Sequence, residues 1–316
     1  MTTVIRTQGL QKHFGRTIAL DGLDFSVEAG EIHGFLGPNG AGKSTTIRIL
    51  LGLARATGGE ATLFGRDPWT DAADLHRRVA YVPGDVALWP NFTGGEAIDL
   101  LTRLRGGMTD KTAYRERKQR LLDVFQLDPR KKGRAYSKGN RQKVALVAAF
   151  ATPAELYVLD EPTSGLDPLM EQVFNREIDQ VARDGATVLL SSHILSEVER
   201  TCDRVAIIRE GRLVKVDRVE GLRDMAHHTV ELVFAGAVPT EAFASLPGVS
   251  DVVAEDHVLR MRVSGPVAPV VKAAAGYDLS DFISREPTLE ETFLAIYGPQ
   301  GESPEAIGTT AGEVAR

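Results

Sequence analysis

The run Gly37-Pro-Asn-Gly-Ala-Gly-Lys-Ser44 constrains this chain more than any other feature, because it fits the spacing G-x-x-x-x-G-K-[S/T]. Just before it, Ile32-His-Gly-Phe-Leu36 reads as a short strand. From Ser44 to Leu53 the pattern is helical, with an end expected at Gly58-Gly59 or slightly earlier. A strand that turns through glycines into a helix is the context in which such a loop holds phosphate. The backbone amides wrap around phosphate oxygens, and a Cβ in the loop would block both the turn and the approach. The helix start adds partial positive charge. Lys43 can reach terminal phosphates, and the Ser44 hydroxyl is placed to ligate Mg²⁺.

A second polar element closes a buried strand. Leu156-Tyr-Val-Leu-Asp160 is a continuous apolar run ending in two adjacent carboxylates, Asp160 and Glu161. Neighbouring side chains at a strand end point in different directions. Asp160 can therefore face a magnesium shell while Glu161 faces the space where an attacking water would sit. Thr187-Val-Leu-Leu-Ser191 and Val205-Ala-Ile-Ile-Arg209 are further apolar runs of the kind expected for strands buried on both faces. They alternate with helical patterns over about the first 215 residues, the rhythm of an α/β domain with a largely parallel sheet.

Residues 96–150 read as mostly helical, and between Arg115 and Lys143 there are 11 Lys or Arg against 3 Asp or Glu. Such a run is either a solvated helical face or a docking surface for a partner or an anionic ligand. Composition shifts near Gly221. Beyond it come a strand (Thr229–Phe234), a helix (Thr240–Ala244), strands at Gly248–Ala254 and His257–Val263, a helix (Pro266–Ala275) and a strand (Asp278–Ser284). The order β-α-β-β-α-β is the split βαβ, or ferredoxin-like, pattern. Thr288-Leu-Glu-Glu291 then forms a capping box opening a last helix to Tyr297. The expected organisation is a domain over residues 1–220, an accessory α+β domain over 221–298 and a disordered tail over 299–316, which holds almost no large apolar group.

Composition excludes several classes. Among 316 residues, 43% are hydrophobic and 25% charged, ordinary values for a globular chain. The net charge of −6 argues against nucleic acid held by bulk charge. Cys202 is the sole cysteine, which excludes an intrachain disulfide and a thiolate metal site and fits a reducing cytosol. The longest uncharged apolar candidate, Val144 to Ala154, falls well short of the roughly 18 residues a spanning helix needs.

Between the two nucleotide elements lies Tyr136-Ser-Lys-Gly-Asn-Arg-Gln142; after the carboxylates come Pro162-Thr-Ser-Gly-Leu-Asp167 and then His193. Taken in order with the phosphate loop, these segments resemble the nucleotide-binding subunit of an ATP-binding cassette (ABC) transporter over about residues 4–218. The resemblance implies a phosphate-loop NTPase fold: a RecA-like core, a helical subdomain at about 90–150 and an antiparallel β subdomain. It implies ATP and Mg²⁺ as ligands. Gly37, Pro38, Asn39, Gly40, Ala41, Gly42, Lys43, Ser44 and Thr45 would hold the phosphates, and Phe14, in Lys12-His-Phe-Gly15, would stack on adenine. Ser44 and Asp160 would serve the metal, Glu161 would be the general base, and His193 would be the switch histidine on the γ-phosphate. Ser137 and Gly139 retain the phosphate-meeting positions of the signature motif L-S-G-G-Q, although Tyr136, Lys138 and Asn140 depart from it. Asp167 would sit at the dimer interface.

The family carries glutamine where Tyr81-Val-Pro-Gly84-Asp85 places Gly84 beside the nucleotide. Water or Asp85 would then take over its metal contact. One set of motifs without an internal repeat implies half of a pair, completed by a second cassette, identical or paralogous. The resemblance further implies a separate transmembrane permease and a peripheral position on the cytoplasmic face of the membrane. The loop Val86-Ala-Leu-Trp-Pro-Asn-Phe92 is the candidate docking surface. The C-terminal pattern, with Pro287-Thr-Leu-Glu-Glu-Thr-Phe-Leu-Ala-Ile-Tyr297, is similar to the extension of drug- and antibiotic-resistance exporters of the daunorubicin type. It makes export of a hydrophobic small molecule the leading expectation. Sodium or lipid export, and a soluble cassette acting on ribosomes or DNA, are the alternatives.

Overall fold

The computed structural model describes residues 2–106, 110–220 and 228–285. The chain divides into two compact units at Val219/Glu220. The first is built on a six-stranded sheet of order β5-β6-β7-β3-β8-β9. Its strands are β3 (Ile32–Leu36), β5 (Val79–Val82), β6 (Leu156–Asp160), β7 (Thr187–Ser192), β8 (Arg204–Arg209) and β9 (Arg212–Arg218). All pairs are parallel except β8–β9, which are joined through the turn at Glu210-Gly211. Every residue of β3, β6 and β7 is buried, as their unbroken apolar runs require of strands covered on both faces.

A second, antiparallel sheet of order β2-β1-β4 is formed by β1 (Thr3–Phe14), β2 (Thr17–Glu28) and β4 (Gly58–Leu63). Leu10, Leu23, Phe25 and Leu63 from this sheet pack with Phe35, Ile47, Leu50, Val158 and Leu189 in one core. Helix α1 (Lys43–Leu50) leaves the phosphate loop and ends earlier than its pattern indicates. Gly52 takes the left-handed conformation (φ 64°), its amide donates to Ile49 O, and the Leu53 amide donates back to Arg48 O. These bonds satisfy the last carbonyls of the helix. Gly58 and Gly59, expected to stop it, lie in β4 instead.

Helix α2 (Ala72–Arg78) precedes β5. Helices α3 (Gly94–Leu104), α4 (Lys111–Val124) and α5 (Lys138–Phe150) make up the helical segment. Thr93 and Glu96 form a reciprocal capping box at the start of α3. Two further helices, α6 (Pro168–Arg183) and α7 (Leu195–Thr201), flank β7 in sequence. Among the described residues no helix is long and apolar enough to cross a membrane.

The second unit contains β10 (His228–Phe234), α8 (Thr240–Ala244), β11 (Val249–Glu255), β12 (Val258–Val263), α9 (Ala268–Ala274) and β13 (Leu279–Arg285). Its sheet has the order β11-β12-β10-β13 with every neighbour antiparallel. Alternate residues of β10 (Val230, Leu232, Phe234) and β12 (Leu259, Met261, Val263) are buried with Phe243 of α8 and Val270 and Ala274 of α9. The period of two in the strands thus gives one face to the helices. The capping box at Thr288–Glu291, the helix to Tyr297 and the tail lie outside the described residues.

Candidate nucleotide site

The parallel strands end together, and the polar residues singled out in the sequence stand at their carboxyl ends. Gly84 follows β5, Asp160 and Glu161 end β6, His193 follows β7 and Gly37 follows β3. A crevice at these ends is where an open α/β sheet places its ligand.

The loop from Gly37 to Gly42 is anchored on both sides. The Gly37 amide donates to Ser192 O at 3.4 Å, and the Gly211 amide donates to Ala41 O at 2.9 Å. Two glycines are dictated by close approach: a Cβ on Gly37 would lie 2.3 Å from Ile208 O, and one on Gly42 2.8 Å from Ala19 O. Gly42 is also left-handed (φ 112°) and forms the N-cap of α1, with no side chain capping the helix. No acidic residue occupies the first turn. The leading amides of α1 therefore face the loop without a side-chain acceptor, as an anion site requires. Pro38, Asn39 and Gly40 are exposed at the rim, with Ser44 exposed and Thr45 half-buried on the first turn.

Lys43 is buried, and its Nζ donates to the carbonyls of Gly37 (2.6 Å) and Pro38 (3.2 Å). Burial pulls its ammonium below the ordinary lysine value, partly offset by the charges of Glu161 and Asp160. Asp160 accepts from the Ser191 hydroxyl. Burial, helped by the Asp160 charge, pushes the Tyr81 phenol on the adjoining strand up to about 12. Gly84 lies against Asp160, where an added Cβ would stand 3.2 Å from the Asp160 carbonyl.

Glu161 takes a left-handed backbone (φ 48°) that non-glycine residues seldom adopt. Its amide donates to Ser191 O (3.1 Å) and Ser191 Oγ (3.2 Å). In this conformation its Oε1 lies 3.2 Å from His193 Nδ1 and 3.8 Å from Lys43 Nζ. A carboxylate, a cation and an imidazole thus converge in front of the α1 start. The donors available to a metal here are oxygens, Ser44 hydroxyl and Asp160 carboxylate, which suits Mg²⁺ shared with phosphate oxygens rather than caged by protein. Among the described residues no group of three or more His, Cys, Asp or Glu forms a metal cage.

The remaining positions form two other groups. Phe14 ends β1 with its ring half exposed, and Lys12 Nζ lies 4.8 Å over it. Ser137 caps α5, its Oγ accepting from the Asn140 amide at 3.3 Å. Gly139 presses on the loop after Glu161, since a Cβ would meet Gly165 O at 2.3 Å. Lys138 Nζ donates to Ser164 Oγ (2.8 Å), and buried Gln142 donates to Pro162 O (3.0 Å). Asp167 caps α6, accepting from the amides of Leu169 and Met170. The sequence reading missed Ser191, Thr163 and Glu197. Ser191 and Ser192 had a signal, two hydroxyls at the carboxyl end of an apolar strand.

The ABC transporter family profile matches residues 20–164. The daunorubicin resistance ATP-binding protein DrrA3 of Streptomyces coeruleorubidus is 32% identical over 316 aligned residues, spanning 96% of this chain and 99% of that protein. A solved ATP-binding subunit of an ABC transporter superposes with a TM-score of 0.65 at 32% identity, covering 70% of this chain and 92% of that one. A dimeric ATP-binding cassette solved in a post-hydrolysis state with ADP and Pi superposes at 0.62 over 68% of this chain and 98% of that one; at 22% identity it speaks for the fold alone. A loop, carboxylate pair and histidine gathered at the strand ends, on this fold and with these relatives, place the chain in the ABC transporter family as an ATP-binding, ATP-hydrolysing subunit.

Proposed function

We propose that this chain drives export of a hydrophobic drug or antibiotic through a separate transmembrane permease, from the cytoplasmic face of the membrane, as one of a pair of cassettes. The observation that carries the chemistry is the convergence of Lys43, Glu161 and His193 before the uncapped start of α1. The loop amides and Lys43 receive the β- and γ-phosphates, Phe14 stacks on adenine, and Ser44 and Asp160 hold Mg²⁺. When bound, the metal neutralises charge on the phosphate oxygens. Glu161 orients water and takes its proton, and His193 holds both the Glu161 carboxylate and the γ-phosphate in line. Positioning and charge neutralisation are most of what phosphoryl transfer asks of a protein.

The Ser137–Gly139 turn belongs to the second site of the pair. It is pinned to Ser164 and Gly165 and offers its helix start outward, so it meets the nucleotide of another cassette, with Asp167 at the seam. That cassette is a second copy of this chain or a paralogue. At Gly84 the near contact with Asp160 leaves no room for a long side chain without a shift, and we assign the metal's outer contact to Asp85 or water.

The permease docks beside Val86–Phe92. Trp89 and Phe92 are exposed, their rings tilted with centroids 5.6 Å apart. Trp89 borders an apolar groove of about 380 Å³ that Leu51, Leu53, Val86, Leu104 and Ala149 help to line. An exposed aromatic pair beside an apolar groove is the chemistry of a protein contact. The second unit reads as a ferredoxin-like accessory domain, supported by its strand order. The similarity to the daunorubicin resistance protein runs through it and supports the substrate class. The test is ATP-dependent daunorubicin efflux from vesicles carrying this chain with the membrane protein that co-purifies with it. The proposal expects efflux abolished by Glu161→Gln. Efflux indifferent to that change, or no membrane partner, would contradict it.

A further inference from the structure

The loops that carry Glu161 and His193 are joined by a third carboxylate that plays no part in the chemistry above. Glu197, on the first turn of α7, accepts from Thr163 Oγ1 through Oε1 at 2.7 Å and from Ser192 Oγ through Oε2 at 2.7 Å. Thr163 stands two residues after Glu161, and Ser192 immediately precedes His193. Both hydroxyl residues are buried. The Ser192 oxygen also accepts from the Ile194 amide at 2.9 Å, which closes a tight turn around His193. A carboxylate oxygen only accepts, so the Thr163 hydroxyl is held as donor to Glu197, and the Ser192 hydroxyl donates to Glu197 at 2.7 Å in preference to the more distant Ile194 carbonyl at 3.2 Å.

We propose that Glu197 is a positioning residue for ATP hydrolysis, which sets the approach of Glu161 to His193 by fixing both loops to α7. Two features of the site make such a brace necessary. Glu161 is held in a left-handed conformation that a non-glycine residue keeps only where surrounding contacts enforce it. His193 itself is half exposed and follows the strand end, so packing alone does not fix its imidazole. From the Glu161 side the Ser191 hydroxyl and carbonyl hold the backbone, while from the Thr163 side the Glu197 bond reaches α7. Lys43 and the α1 amides follow β3, and the hydrogen-bond partners of Glu197 among the described residues, Thr163 and Ser192, do not include them.

The proposal rests on the reading of Glu161 and His193 as working residues, and the experiment separates the two. Steady-state ATP hydrolysis and ATP binding are measured on the full chain and on Glu197→Ala, Glu197→Gln, Thr163→Val, His193→Ala and the Glu197→Ala/His193→Ala double variant. Glu197→Ala is expected to lower kcat about tenfold, the effect of a sub-ångström misplacement, with KM and ATP affinity within about twofold. Glu197→Gln still offers an oxygen to one hydroxyl and an N–H to the other, and should recover most of kcat. Thr163→Val removes one arm of the brace and should lose less than Glu197→Ala. In the double variant the Glu197 effect should vanish, because there is no imidazole left to position. Wild-type kcat in Glu197→Ala, a loss expressed in ATP affinity, or multiplicative losses in the double variant would overturn the proposal. Full activity in His193→Ala would instead overturn the reading of the site beneath it.

Discussion

Two helix starts carry the nucleotide chemistry of this chain, and they are built in opposite ways. The start of α1 is left open: its N-cap is a left-handed glycine with no side chain to accept from the helix amides, and a buried lysine stands beside it. The start of α5 is closed on itself. Ser137 caps it, Lys138 is tied to Ser164, and Gly139 is packed against Gly165 so tightly that a methyl group does not fit. The first is a complete phosphate receptor whose missing acceptor is the ligand. The second is a packed, side-chain-capped edge. On the function proposed above, the first receives this chain's nucleotide and the second meets that of another cassette.

The largest expected effect lies on the open side. Glu161→Gln keeps the shape and removes the base, so turnover in the permease complex should fall about a thousandfold while ATP affinity stays within severalfold. Parallel loss of both would mean that Glu161 builds the pocket rather than serving it. Next comes the closed side. Gly139→Ala forces a Cβ onto Gly165 O, and turnover should drop roughly a hundredfold with ATP still bound at α1. ATP affinity measured by equilibrium dialysis would expose the opposite result, a dependence of the α1 pocket on the α5 turn. The smallest effect sharpens the metal edge of the open side. Asp85→Ala should reduce turnover by only a fewfold and raise the Mg²⁺ concentration needed for half-maximal rate. An unchanged magnesium titration would leave water alone at the Gly84 position.

Much of the open side is legible in the sequence because its residues act through local geometry. Gly37–Ser44 must follow a strand and open a helix, and Asp160-Glu161 must end a strand, so period and punctuation suffice to place them. The apolar runs of β3, β6 and β7 name the buried sheet in the same way. What the sequence hides is contact between distant segments. Nothing in Glu161 announces a positive φ, and nothing in Gly139 announces that Gly165 lies against it. Gly52 ends α1 rather than Gly58 because the neighbouring Pro68 carbonyl and the closing bonds to Arg48 and Ile49 select that residue. Glu197 looks like an ordinary acid on the first turn of a helix until the fold brings Thr163, 34 residues away in sequence, to the same carboxylate as Ser192.

As proposed above, this chain binds ATP by itself and hydrolyses it with help from the α5 edge of a second cassette. Ser137→Ala tests this most directly, because it deletes one hydroxyl and leaves the Gly139–Gly165 packing intact. ATP affinity and turnover are measured on the same preparation of the permease complex. Affinity is expected within about twofold of wild type, with turnover lowered about tenfold or more. Turnover equal to wild type, or affinity and turnover lost together, would contradict it.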